Sequence, residues 1–391
     1  MNNFVYHAPT KVIFGVGAEN KVGKELAEAN FKKVLVLYGK GSVKASGLLD
    51  RVIKSLKDSG IEYVEMGGVE ANPKVSFVRE AIKVAQKNDV ELVLAVGGGS
   101  VIDAAKAVGL ALSHNIDPWE MIEKRIHPTK RVPTAAVLTI ASAGSEMSHS
   151  CVLTDEDSKL KRSVNSDYLR PYFAFENPEY TIGVDKYQTA CGIVDTMMHT
   201  LERYFTTDIN SDLTDSIAEA LLISVKNAGK KVMANPNDYD SRATLMWASS
   251  LSHNGLTGVG KSHYFPVHKL EHDISGLYDV AHGAGMAVVF PAWAKYVYKY
   301  DVNRFARFAN KVWKVELDLN NLKWTAKEGI KAMKNYFKEI GMPTTMGELG
   351  VKRADYATLA KMTTSGGTRE VRSYIPLGEK EIIDIFNIAT E

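Results

Sequence analysis

Five of the chain's ten histidines, His253, His263, His268, His272 and His282, fall within thirty residues. Histidine is the commonest metal ligand and the one side chain whose ordinary titration lies near neutrality. Such crowding points to metal or proton-transfer chemistry. In VHKLEHDISGLYDVAHG, His268 and His272 are spaced i, i+4, which puts two side chains on one helix face. His282 comes fourteen residues after His268, beyond Gly276 and next to Gly283, so it belongs to a turn or a new helix start. Upstream, GIVDTMMHTLERY repeats the i, i+4 spacing with Asp195 and His199, and Cys191 shares their face. One carboxylate and three imidazoles make a four-ligand set for a borderline divalent ion such as iron or zinc. Spacing alone leaves open which histidines would ligate. It also leaves open a plain alternative of core histidines bonded to carbonyls, with Asp195–His199 a structural pair.

A second kind of chemistry is written in glycines. Gly97, Gly98 and Gly99 separate the apolar run LVLAV from a helix-like segment, and Ser100 adds a hydroxyl. Glycines let backbone approach a ligand closely, and the following helix would aim its N–H groups and positive dipole end at a phosphate. The spacing is not the G-x-G-x-x-G dinucleotide fingerprint, so a tight turn without ligand is the alternative reading. The turn YGKGSVKASG also follows a strand. Gly39, Lys40, Gly41, Ser42 and Lys44 are small or basic, which would admit a ribose 2′-phosphate; otherwise this is an exposed lysine-bearing loop.

The elements that must hold these residues follow from pattern. KVLVLY, IEYVEMG, ELVLAVG and VPTAAVLTI read as strands alternating with helices over 46–60, 75–89 and 101–114. That alternation predicts a parallel sheet with helices on both faces, an α/β Rossmann-like domain over residues 1–185. Beyond about residue 186 helical periodicity takes over, predicting an all-α domain over 186–391. Ligands of a doubly wound sheet bind at the carboxyl ends of its strands, and the active site is expected in the cleft between the two domains.

Bulk properties exclude other classes. The chain's 391 residues carry 48 basic and 46 acidic side chains, a balance that gives no reason for a nucleic-acid or anionic-membrane partner. No apolar run is long enough to span a bilayer. The N-terminus lacks a signal-peptide pattern. Two cysteines, Cys151 and Cys191, fit a reducing compartment better than a disulfide scaffold. A soluble, cytoplasmic protein is expected.

Four segments, VGGGSVIDAAKA, TIASAGSEMS, CGIVDTMMHTLERY and VHKLEHDISGLYDVAHGAGMAVVFPAW, together resemble the iron-containing (group III) alcohol dehydrogenases. The likeness runs from FGVG at 14–17 almost to the end, and it is nearest to the butanol dehydrogenase and broad aldehyde reductase branch. The resemblance implies the dehydroquinate synthase-like fold of that family and reversible hydride transfer between a small primary alcohol, such as butanol, and its aldehyde. It implies Asp195, His199, His268 and His282 as metal ligands for Fe2+ or Zn2+, and His272 as an active-site histidine that could relay the hydroxyl proton. It further implies Gly39, Gly41, Ser42, Gly97, Gly98, Gly99, Ser100, Asp103, Thr139, Ser142 and Lys161 as cofactor-binding residues. In that branch the turn at Gly39 goes with NADP(H) rather than NAD(H), and a homodimer is the family expectation.

Departures from the branch are local. SHYFPVH replaces an acidic residue and tryptophan before the first ligand histidine of this segment, and Pro266 should start the helix that carries His268. GKGS stands for GGGS, Asn177-Pro178 for Asp-Pro, and Gly183-Val184 for Leu-Pro. The competing readings are a glycerol- or diol-type polyol dehydrogenase, a dehydroquinate synthase-like lyase, or a non-catalytic nucleotide-binding protein with a structural metal. The lyase would need a basic cluster that is not seen near the histidines.

Overall fold

The computed structural model describes residues 1–390. The chain forms two compact units. One spans His7–Val184 with Ser249–Asn254; the other holds Met1–Tyr6, Asp185–Ala248 and the chain from Gly255 onward. A single cut between 185 and 186 thus omits two exchanges, of the N-terminal six residues and of the last turn of one long helix.

The α/β unit contains β1 (Lys11–Phe14), β2 (Lys33–Gly39), β3 (Glu62–Val69), β4 (Leu92–Gly97) and β5 (Thr134–Leu138). A hairpin of β6 (Ser150–Asp155) and β7 (Leu160–Asn165) precedes β8 (Phe173–Glu176). Six strands make one sheet in the order β1-β8-β5-β4-β2-β3, every pair parallel. Its helices are α1 (Val22–Glu28), α2 (Ser42–Ala45), α3 (Leu48–Asp58), α4 (Val75–Lys87), α5 (Gly99–His114) and α6 (Pro118–Glu123).

The continuous apolar character of β2 and β4 has a direct cause. Val34, Val36, Leu92, Leu94 and Val96 share a core with Val22, Leu26, Val52 and Leu56 of α1 and α3. The alternating residues Leu35, Leu37, Val93 and Ala95 are as deeply buried. They project to the opposite face because side chains alternate along a strand, and α5 covers that face against β4. With both faces dry, every position must be apolar.

From β2 the chain moves outward to β3, then returns across β2 to β4 and grows the other way through β5. The order therefore reverses between β2 and β4, the place where open α/β sheets bind ligands. Tyr38 lies opposite Val96, so the turns after Gly39 and Gly97 stand level at the carboxyl edge.

The helical unit consists of α7 (Lys186–Tyr204), α8 (Asp212–Ala234), the first part of α9 (Tyr239–His253), α10 (Pro266–Tyr278), α11 (His282–Val297), α12 (Val302–Trp313), α13 (Leu322–Glu339), α14 (Tyr356–Thr364) and α15 (Glu379–Ile388). Every residue of α7 from Thr189 to Tyr204 is buried, polar and apolar alike. A helix enclosed on all sides must satisfy its polar side chains within the protein or with a ligand. As Pro266 requires, α10 begins there; proline fits a first helical position, where its missing N–H is not needed.

Candidate functional site

In the helical unit the ligand candidates converge from three helices. Asp195 and His199 lie one turn apart on α7, with Asp195 Oδ1 3.5 Å from His199 Nδ1. His268 sits in the first turn of α10, and its ring centroid is 4.7 Å from that of His199. His282 is the first residue of α11, with Nε2 3.7 Å from Asp195 Oδ1. Asp195, His268 and His282 each offer one donor atom, and these atoms all lie within 4.8 Å of one another. His199 stands beside this trio rather than inside it.

Two carboxylates that the sequence reading overlooked complete the arrangement. Glu202, on α7, accepts from the backbone N–H of Val267 at 2.7 Å and of His268 at 3.1 Å, so it caps the start of α10. The same carboxylate bonds Nδ1 of His268. Glu271, on α10, bonds Nδ1 of His282 and accepts from Ser275 Oγ. Histidines that ligate through one nitrogen commonly give the other N–H to a carboxylate. Here His268 Nε2 is left buried with no hydrogen-bond partner among the described residues. Burial, then the neighbouring His268 and Arg203, holds the His199 imidazole well below its ordinary value. It is neutral at pH 7, as ligation requires. One carboxylate, three imidazoles and an open buried nitrogen fit a borderline divalent ion such as iron or zinc.

The other histidines take different places. The His272 ring lies 5.7 Å from that of His282 and 6.3 Å from that of His268, and it is half-buried. Glu271, His272 and His282 form a second possible trio. It is the weaker one, because Glu271 already holds His282 Nδ1 and Ser275 Oγ. His253 belongs to the α/β unit, against Gly144, and His263 is exposed. Phe265 has a left-handed backbone (φ 52°), an uncommon state for a bulky residue. Its ring is 5.0 Å from the His268 ring, and the Arg203 guanidinium lies 4.7 Å from its centre.

In the α/β unit, the helix of the glycine run starts inside the run: Gly98 precedes α5 and no side chain caps it. The glycines answer to space. A Cβ on Gly97 would stand 2.6 Å from Val101 Cγ2, and one on Gly98 would stand 2.5 Å from Ile140 Cγ2. Thr139 donates its N–H to Gly97 O at 3.2 Å, and Ser142 is half-buried on the same loop after β5. Ser100 opens α5. Asp103, one turn on, accepts from Ser145 Oγ at 2.6 Å and from Val152 N–H at 3.1 Å. Both its oxygens therefore hold the protein's own chain, the segment after β5 and strand β6. Burial raises its carboxyl, against the opposing charges of Lys106 and Lys161. Lys161 is buried on β7, opposite Thr154 of β6.

Lys106 was not expected to matter. Fully buried on α5, it donates to Ser145 Oγ at 2.9 Å, Ser148 Oγ at 3.1 Å, Ser148 O at 3.2 Å and Ser150 O at 2.8 Å. It ties the loop after β5 to the glycine-run helix. Its signal in the sequence is a lysine three residues after Asp103 inside a mostly apolar helix.

At the first turn, Gly39 ends β2, Gly41 caps α2 and Ser42 begins α2. The positive charge read there is not freely presented. The Lys40 ammonium is 2.6 Å from Glu70, which follows β3, and Lys44 Nζ lies 4.9 Å from the centre of the Tyr38 ring. The NADP(H) expectation assumed no carboxylate at this edge. The adjacent parallel strand supplies one, from a residue thirty positions away in sequence.

Residues 9–178 match the family described as iron-containing alcohol dehydrogenase, and residues 189–390 match its C-terminal family. The chain belongs to the iron-containing alcohol dehydrogenase family. It is 37% identical over 389 residues to NADH-dependent butanol dehydrogenase A of Clostridium acetobutylicum, covering 99% of each chain. Identity to the NADPH-dependent aldehyde reductase YqhD of Escherichia coli is 33% over 377 residues, covering 95% of each. The crystal structure of NADH-dependent butanol dehydrogenase A from Thermotoga maritima superimposes with a TM-score of 0.96 at 37% identity, covering 100% of this chain and 99% of that one. An enzyme with the family's α/β sheet and helical C-terminal half is therefore established, and its cofactor class is NAD(P)(H).

Proposed function

We propose that the protein interconverts a small primary alcohol, of the butanol class, and its aldehyde with NAD(P)(H). The observation that carries this is the convergence of Asp195, His268 and His282, with donor atoms within 4.8 Å and His199 alongside. A divalent ion held by these four residues supplies Lewis acidity to the substrate oxygen, and a bound nicotinamide supplies or accepts the hydride. The chain's own groups do the rest. Glu202 and Glu271 hold His268 and His282 by Nδ1, so that Nε2 is the open nitrogen of each. His272 takes the alcohol's hydroxyl proton at an imidazole nitrogen during oxidation and returns it during reduction. Gly97 and Gly98 let the backbone come close to the pyrophosphate, and the N–H groups that open α5 receive it. Gly39, Gly41, Ser42, Gly99, Ser100, Thr139, Ser142 and Lys161 line the rest of the cofactor path. Asp103 fixes the loop after β5 that carries Thr139 and Ser142 through its bond to Ser145.

Phe265 beside His268 supports an apolar substrate over a polyol, which would ask for hydrogen-bonding side chains there. Lys40 can meet a 2′-phosphate only by leaving Glu70. Preference for NADP(H) over NAD(H) is therefore shallow in this reading. A homodimer is consistent with the exposed Phe4, Val5 and Tyr6 at the N-terminus. A reducing, cytoplasmic setting fits two free buried thiols. Among the described residues no helix is long and apolar enough to cross a membrane.

The test is NADPH and NADH oxidation with butanal, on protein purified without oxygen. It is run before chelation, after chelation, and after ferrous or zinc ion is restored. Metal-restored turnover supports the reading. Turnover that survives verified metal removal overturns it.

A further inference from the structure

We propose that Glu271 is a positioning residue for His282, fixing the imidazole with Nε2 towards Asp195 and thereby setting how tightly and in what geometry a divalent ion is held. The proposal rests on the ligand reading given above. Glu271 is wholly buried on α10. It bonds His282 Nδ1 through Oε2, and Ser275 Oγ donates to Oε1. The neighbouring helix is cut to fit it. A Cβ on Gly285 of α11 would stand 2.7 Å from Glu271 Cγ and 2.9 Å from its Oε1. Thus α11 carries a histidine where Glu271 needs a donor, and no side chain where Glu271 needs room.

Burying a carboxylate costs several kcal/mol unless charge and hydrogen bonds offset it. The Ser275 hydroxyl and the His282 imidazole each offset part of that. A divalent ion on the far side of the same imidazole offsets more, and the carboxylate makes the imidazole a better donor in return. Glu202 acts on His268 in the same way, but it also caps α10, so replacing it would disturb a helix as well as a ligand. Glu271 bonds the side chains of Ser275 and His282, which makes it the cleaner probe. As a direct ligand with His272, Glu271 would have to give up Ser275 or His282 at the ligating oxygen.

The experiment titrates metal-free full-length protein with cobalt(II), reads the visible d–d absorption, and obtains affinity by chelator competition. Wild type, Glu271→Ala and Glu271→Gln are compared, with thermal unfolding of each metal-free form. The expected result is one cobalt per wild-type chain. In Glu271→Ala, affinity falls about 10- to 100-fold and the bands shift. Glu271→Gln recovers part of both, because its amide oxygen can still accept from Nδ1–H. If Glu271→Ala does not fold, Glu271→Gln must still lower affinity. Unchanged affinity and spectrum in the folded variants overturn the proposal. Complete loss of cobalt in both variants also overturns it, by making Glu271 a ligand. Wild type that takes up no cobalt removes the ligand reading itself, and this proposal with it.

Discussion

A Cβ placed on Gly283 would stand 2.2 Å from the carbonyl oxygen of Cys191. That contact sets how closely α11 lies on α7, one turn before Asp195. It brings His282 Nε2 to 3.7 Å from Asp195 Oδ1. Backbone cannot swing aside as a flexible side chain can, so Gly283→Ala must push the helices apart. The expected cost is about 1–3 kcal/mol of stability, typical of overpacking, together with loss of bound metal. Urea unfolding and metal analysis on the same preparation check both. A variant of wild-type stability that retains stoichiometric metal would show that the close approach is not needed.

His282 and His272 lie with ring centroids 5.7 Å apart but are assigned different work. His282→Ala should lose metal and nearly all turnover while remaining folded. His272→Ala should keep its metal and lose about 10²- to 10⁴-fold in kcat, the range for a missing proton-transfer group. Metal content and steady-state kinetics separate the two. Full activity in His282→Ala would refute its place in the ligand set.

The pairing of Lys40 with Glu70 gives a cofactor prediction. Removing the carboxylate by Glu70→Gln frees the Lys40 ammonium, 2.6 Å away in the wild type, for a 2′-phosphate. The ratio of kcat/KM for NADPH to that for NADH should then rise, but only by about a few-fold, because the pair is exposed and screened by solvent. Lys40→Ala should lower the same ratio. If neither substitution moves it, discrimination lies elsewhere.

Much of this was legible in the sequence, for local reasons. Asp195–His199 and His268–His272 are one-turn spacings that periodicity exposes directly. β2 and β4 declared themselves by unbroken apolar runs, because both sheet faces are covered. The β1 and β8 strands, KVIF and FAFE, are four residues each and too short for any period to register. Glu202 and Glu271 were hidden for another reason. An acidic residue on a helix ordinarily marks the solvated face, and only the tertiary packing reveals that both are buried against a histidine. Glu70 was missed similarly: it reaches the Gly39 turn through strand adjacency that sequence distance does not report. Pattern supplied the candidate residue types, but long-range packing chose which nitrogen of His268 and of His282 is held by a carboxylate.

Away from the candidate site, Asp215 carries a pH prediction. Its Oδ1 is 2.6 Å from Lys261 Nζ and 3.1 Å from Arg304 NH1, all three groups being buried. Burial alone would raise its carboxyl, but the two cations outweigh that and hold it below the ordinary value. Burial and the nearby Arg304 push Lys261 down to about 8, so both cations are charged below that pH. A carboxyl whose folded value is depressed contributes its stability above the unfolded value, near 3.9, and loses it as pH falls through the folded one. Asp215→Asn should therefore cost about 3–5 kcal/mol at pH 7, because it strands two buried cations. The difference from wild type should shrink steadily below about pH 4 as Asp215 itself becomes protonated. Urea unfolding of both proteins between pH 7 and pH 3 measures this. A gap that stays constant across that range would mean that Asp215 acts by packing rather than by charge.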